Sequence, residues 1–178
     1  MTNDHEGALR AIASLIAAGD NEQGFWPMLA ELNYKKKDYN NSLRNYMLLL
    51  NEYPDEKNYY IQTSGIMAQL GRFGEANVIL QKAIDKFGAS PESYANMAIN
   101  FLSLKDLARG EEYFRKSLEI GPENIPVWIN LANVLSEQKD PAKKREALAI
   151  YKKYKKQTPK TFGVDSLINV LENDIGGQ

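Results

Sequence analysis

The chain has 178 residues, of which 43% are hydrophobic and 25% charged, with a net charge of −1. That balance belongs to a folded domain of ordinary size and excludes a disordered chain. Cysteine is absent, which excludes a disulfide framework, a thiolate metal site and a cysteine nucleophile.

Internal repetition organises the rest. Pro54 and Pro122 each follow a helical run, and Gly88 stands midway between them, so the spacing is 34 residues. Twenty-eight residues before each of these three stand Trp26, Tyr60 and Tyr94, each opening an apolar helix. Twelve residues before them stand the small residues Ser42, Ala76 and Gly110, and eight before them the large residues Tyr46, Leu80 and Phe114. A fourth unit fits with three residues inserted, opened by Trp128, Leu131 and Ala132 and closed by Ala147, Tyr151 and Pro159. The expected units are 23–56, 57–90, 91–124 and 125–161 of one domain spanning 1–178.

The small positions have a packing reason. Ala30, Ser64, Ala98 and Ala132 on the first helix of each unit can face Ser42, Ala76, Gly110 and Ala147 on the second, letting two backbones approach closely. Phe101, Phe114, Leu80 and Tyr151 then fill the space between successive pairs, so each unit buries its apolar face by stacking on its neighbours. Gly110 within a helix costs roughly 1 kcal/mol against alanine, which contact with Ala98 would explain. Ser90 before Pro91 and Asp140 before Pro141 each place a capping side chain ahead of a proline in the first helical turn.

With these residues in place, the chain resembles the tetratricopeptide repeat family over about residues 23–160. The third unit carries the likeness best, through Tyr94, Met97, Ala98, Phe101, Gly110, Phe114, Ser117 and Pro122. Leu49 and Tyr154 depart from it, standing where the family prefers a small residue. The resemblance implies an all-α fold, an α-solenoid of antiparallel helix pairs wound as a right-handed superhelix. Residues 5–19 would form an N-terminal capping helix, a lone second helix with Ala8, Ile12 and Leu15 in the expected places. Residues 163–174 would form a C-terminal one, with Leu167, Ile168 and Leu171 inward.

Further implied is a concave groove lined by first helices that holds an extended peptide or a partner's helix. Its positions here hold Met28, Glu31 and Tyr34, then Ile61, Gln62 and Gln69, then Asn96 and Ile99, then Ile129, Asn130, Asn133 and Glu137. Gln62, Asn96 and Asn130 recur at one repeat position, and with Asn133 they would make a ladder of amides able to pair with a peptide backbone. Family members that clamp the acidic tails of heat-shock chaperones use groove lysines. Those positions here hold Pro27, Ile61, Ala95 and Ile129, so no carboxylate clamp is expected.

Between Lys139 and Lys160 there are nine basic and two acidic residues. Lys143, Lys144 and Arg145 sit in the first turn of a helix, where the dipole opposes them, and they mark a second candidate contact patch. Glu111, Glu112, Asp55 and Glu56 read as solvated. The sole histidine, His5, lies in an N-terminus expected to fray, and no Gly-rich phosphate loop is present. The expectation is therefore a protein-binding adaptor or assembly factor, not an enzyme, with no cofactor, metal or nucleic acid. A dedicated chaperone for a secreted or assembling subunit and a self-associating scaffold are the alternatives. No stretch approaches the roughly 20 apolar residues of a membrane span, and an acidic leader before an apolar run that Arg10 interrupts does not suit a secretory signal. A cytoplasmic protein, or a soluble part of a larger anchored one, is expected.

Overall fold

The computed structural model describes residues 4–20, 22–157 and 163–176. Pro159 and Lys160 lie outside the described residues. The described chain is all-α, with ten α-helices and no strand: α1 His5–Ala17, α2 Glu22–Lys35, α3 Tyr39–Glu52, α4 Lys57–Gln69, α5 Phe73–Phe87, α6 Pro91–Ser103, α7 Leu107–Ile120, α8 Ile125–Glu137, α9 Pro141–Tyr154 and α10 Val164–Gly176. A 3₁₀ turn, Lys155–Gln157, follows α9. The helices form two compact units, Met1–Gly88 and Ala89–Gln178. In the first, α2 pairs with α3 and α4 with α5, and α1 packs on α2. In the second, α6 pairs with α7 and α8 with α9, and α10 packs on α9.

Side chains at helix starts satisfy amides that have no partner within the helix. The Ser93 N–H donates to Ser90 Oγ (3.2 Å), the Arg109 N–H to Asp106 Oδ1 (2.9 Å) and the Ala142 N–H to Asp140 Oδ1 (2.8 Å). Pro91 and Pro141 sit in the first turns of α6 and α9, where the missing N–H costs nothing.

The ends of first helices repeat a backbone device. Lys37, Gly71 and Lys105, spaced by 34 residues, take left-handed φ values of 62°, 74° and 63°. At each, the following N–H closes back on the carbonyl five residues earlier: Asp38 on Asn33, Arg72 on Met67, Asp106 on Phe101. This closure satisfies terminal carbonyls at the cost of a conformation that glycine adopts freely and lysine does not. The N-terminal helix α1 ends the same way, with Gly19 at φ 102° and the Asp20 N–H on the Leu15 carbonyl. Its C-terminus is thus built like that of a first helix. A second repeated device ties aromatic rings to the preceding turn: Trp128 Nε1 donates to the Pro122 carbonyl (2.8 Å) and Tyr60 Oη to that of Pro54 (3.1 Å).

All eight small positions are buried. Ser42 Oγ donates to the Ala30 carbonyl at 2.7 Å, showing how near the two backbones of a pair come. At Gly110 the reason for glycine differs from the expected one. A Cβ there would lie 2.3 Å from Leu102 Cδ2 and 2.9 Å from its Cγ, whereas the Ala98 carbonyl oxygen would stand at 3.6 Å, an ordinary contact. The side chain of Leu102, one turn beyond Ala98, would have to move to admit a Cβ. Leu49 is completely buried, and Tyr154 is half-buried and stacked on Trp128 with centroids 6.0 Å apart, so both departures from the family pattern are accommodated. Phe114, Leu131 and Tyr151 form the centre of the second unit's core, closed by Val164, Ile168 and Leu171 of α10.

Candidate functional site

The candidate surface is built from first helices, taken one unit at a time. In the first unit, α2 exposes Met28, Glu31 and Tyr34. Glu31 pairs with Lys35 (2.6 Å), one turn on, and the Tyr34 ring packs against Tyr39. On α4, Ile61 is half-buried and Gln62 and Gln69 are exposed. In the second unit, α6 presents half-buried Asn96 and exposed Ile99, and α8 presents half-buried Asn130 and Asn133 with exposed Glu137. Ile129 is only 2% exposed and belongs to the core, not to the groove surface on which the repeat pattern placed it.

The three asparagines separate into two kinds. Asn96 and Asn130 occupy the same position of consecutive first helices, and neither side chain has a hydrogen-bond partner among the described residues. Asn133 is already engaged: its Oδ1 accepts the Tyr151 hydroxyl at 2.5 Å. Tyr151 is fully buried, and burial, with the nearby Glu137 carboxylate, raises its pKa above the usual tyrosine value, keeping the hydroxyl a donor. Asn133 is therefore a core-anchoring residue with part of its hydrogen-bonding capacity spent inside the fold.

The basic cluster on α9 also finds internal partners. Lys143 Nζ donates to Glu111 Oε2 and to Gln138 Oε1, both at 2.6 Å. Lys144 pairs with Asp174, Lys152 with Glu172 and Lys155 with Asp165, so α10 lays a row of carboxylates against the lysines of α9 and the turn after it. Among the cluster Lys143, Lys144 and Arg145, only Arg145 has no ion-pair partner among the described residues. Repulsion by the helix dipole is thus answered within the chain. Glu111 is not the solvated residue its neighbourhood in sequence suggests. Its side chain is 12% exposed and is shared by Lys143, Gln138 and Arg115. Burial pushes its carboxyl up, but these donors together hold the pKa below the usual glutamate value. Glu111 is 32 residues from Lys143, which is why local sequence does not reveal the pairing.

His5 is the first residue of α1, half-buried and within a helix capped by Asp4, whose Oδ1 accepts the Gly7 N–H (2.7 Å). No helix of the described residues is long and apolar enough to cross a membrane.

Comparison with known proteins places this architecture. Two sequence models described as tetratricopeptide repeat match residues 91–124 and 113–146. No curated protein matches the chain in sequence. Among solved structures, MamA from Desulfovibrio magneticus superposes with a TM-score of 0.72 at 14% identity, over 88% of this chain and 89% of that one. The tetratricopeptide protein TTC0263 of Thermus thermophilus gives 0.66 at 17% identity, over 94% and 90% of the two chains. YrrB, described as a tetratricopeptide protein with an unusual peptide-binding site, gives 0.66 at 15% identity, over 90% and 81%. Tetratricopeptide repeats are protein–protein interaction modules. Residues 91–146 match tetratricopeptide repeats in sequence, and the helix pairs on either side share their buried small residues and, after α2, α4 and α6, a left-handed closure.

Proposed function

We propose that the chain is an adaptor or assembly factor, binding a segment of a partner protein against the first helices α6 and α8 of its second unit. One observation carries this reading: Asn96 and Asn130 are half-buried amides at equivalent repeat positions, and neither is committed to a bond within the described fold. An amide both donates and accepts, so two of them along consecutive helices suit the main chain of a bound peptide whatever its side chains. Ile99, exposed on α6, supplies apolar contact beside them. Met28, Tyr34, Ile61, Gln62 and Gln69 make a comparable mixed surface on first helices of the other unit. The peptide-binding site named for YrrB supports the same use of the fold. Binding, not catalysis, is the proposed activity, since the only imidazole sits at the start of α1 and no thiol is present.

The test is an affinity capture from native lysate comparing wild type with Asn96→Ala/Asn130→Ala, followed by titration with the captured partner. Asn133 is left intact because it holds Tyr151. Loss of two amides' bonds should weaken binding by about tenfold or more, at roughly 1 kcal/mol per bond, with helicity unchanged. A partner held equally by both proteins overturns the reading. A one-to-one complex whose partner aggregates when alone would identify the adaptor as a dedicated chaperone.

A further inference from the structure

The second helix of the first repeat, α3, carries an apolar surface that its counterparts lack. Met47 is 51% exposed, where the residues one and two repeats on are Gln81 and Arg115. Its neighbour Leu48 corresponds to Lys82 and Lys116. Polar residues are what a solvated helix face ordinarily holds, and Arg115 is further neutralised by Glu111 and Glu146. Only α3 presents large apolar side chains at these two positions.

Met47 also stands between two clefts. One is lined by Leu43, Arg44 and Leu48 of α3 with Arg72 at the start of α5; the other by Leu50, Thr63, Ile79 and Lys82 from α3, α4 and α5. No acidic residue lines either. Arg72 is held by Glu75 through two hydrogen bonds of 2.6 and 2.7 Å, but Arg44 and Lys82 have no ion-pair partner among the described residues. Lys82 lies in the cleft that α3 lines with Met47, Leu50 and Asn51, three to seven residues beyond Arg44, which is about 5–10 Å along a helix axis. On the floor of that cleft Thr63 is fully buried, and its hydroxyl has no hydrogen-bond partner. The adjacent hydroxyl of Ser64, by contrast, is satisfied by the Ile61 carbonyl at 2.8 Å. An unpaired buried hydroxyl is costly unless something in the cleft meets it.

We infer that this face of α3 and α5 is a second docking surface, for a partner segment presenting apolar side chains between two acidic residues about 5–10 Å apart. The apolar side chains cover Met47 and enter the flanking clefts. The two carboxylates meet Arg44 and Lys82, and a polar group of the segment pairs with Thr63. Extended chain advances about 3.3 Å per residue, so acids three positions apart reach both cations. This surface is separate from the amide pair on α6 and α8, and the two readings stand or fall independently.

The probe is a fluorescent 12-residue peptide with a central Glu-Leu-Leu-Glu, followed by anisotropy against the full chain. Counterparts with Lys-Leu-Leu-Lys and Glu-Ala-Ala-Glu serve as controls. Wild type should bind the acidic leucine peptide in preference to both controls, less tightly at high salt. The Arg44→Glu/Lys82→Glu variant should bind it about tenfold more weakly, from loss of two exposed pairs and their replacement by repulsion. Met47→Ser should weaken binding comparably. Thr63→Val should weaken it too without lowering the unfolding midpoint, because the hydroxyl it removes satisfies nothing in the free protein. Circular dichroism verifies that each variant keeps wild-type helicity. Equal binding of all three peptides, binding of none, or undiminished binding by the charge-reversed variant overturns the proposal. So does wild-type dimerisation abolished by Met47→Ser, which would make a second copy the occupant.

Discussion

Exchanging glycine and lysine at the hairpin turns separates backbone conformation from every other contribution. Lys37, Gly71 and Lys105 share the left-handed conformation and the same hydrogen-bonded closure, and differ in whether a Cβ is present. Left-handed φ costs a residue with a side chain roughly 1–2 kcal/mol, and glycine's freer unfolded chain returns about 0.4–1 kcal/mol of that advantage. Lys105→Gly should therefore stabilise the protein by about 0.5–1 kcal/mol, and Lys37→Gly by a similar amount. Nothing lies within 4 Å of a Cβ built on Gly71, so Gly71→Ala should cost about 1 kcal/mol from the backbone alone. Urea unfolding followed by far-ultraviolet circular dichroism reads these differences as midpoint shifts at constant slope. A neutral Gly71→Ala together with a destabilising Lys105→Gly would refute the reasoning. It would mean that the lysine side chains, and not the closure, set the stability of the turns.

Three further outcomes follow from contacts described above. Tyr151→Phe should cost about 1 kcal/mol and Asn133→Ala about 1–3 kcal/mol, since the latter strands a buried hydroxyl. The double variant should be no worse than Asn133→Ala alone, and additive losses in the cycle would disprove the Tyr151–Asn133 bond. Glu111→Gln should destabilise the protein near neutral pH. Because the folded-state pKa of Glu111 is depressed, its contribution is present above the usual glutamate range and lost as pH falls through the folded value. The wild-type advantage in midpoint should therefore shrink on acidification, and a gap independent of pH would refute the charge-based account. Gly110→Ala should destabilise despite the roughly 1 kcal/mol gained in helix propensity, and Leu102→Ala should relieve the clash in the double variant. Failure of that relief in thermal melts would point to a different neighbour.

Features set by volume and local backbone are legible without the structure. Ala30, Ser42, Ala76 and Ala132 announce a close helix contact because small residues recur there at the repeat spacing, and all four are buried, while Ser90 and Asp140 announce helix starts because their hydrogen bonds reach only two or three residues ahead. Features set by tertiary pairing are not. Asn133 looks like a surface amide until Tyr151, eighteen residues on, is brought beneath it. The α9 lysines look like an open basic patch until Glu111 and Asp174 arrive from flanking helices. Gly110 reads as a tight spot, but the residue making it tight, Leu102, stands one turn from the expected one. The apolar face of α3 is present in the sequence as Met47-Leu48 opposite Gln81-Lys82 and Arg115-Lys116. A repeat pattern is built from positions that match, and this face lies at positions that fail to match.

The distribution of indole rings has a practical consequence. The chain has two tryptophans, Trp26 in the unit before Gly88 and Trp128 in the unit after it. Each half thus carries its own emitting chromophore. Trp128 stacks on Tyr154, lies under the Lys153 ammonium and donates to the Pro122 carbonyl, whereas no acceptor meets the buried Trp26 Nε1. Their spectra should differ accordingly. Replacing either ring with phenylalanine leaves a protein whose fluorescence follows one half only, and a lesion such as Gly71→Ala can then be traced to the half in which it melts the chain.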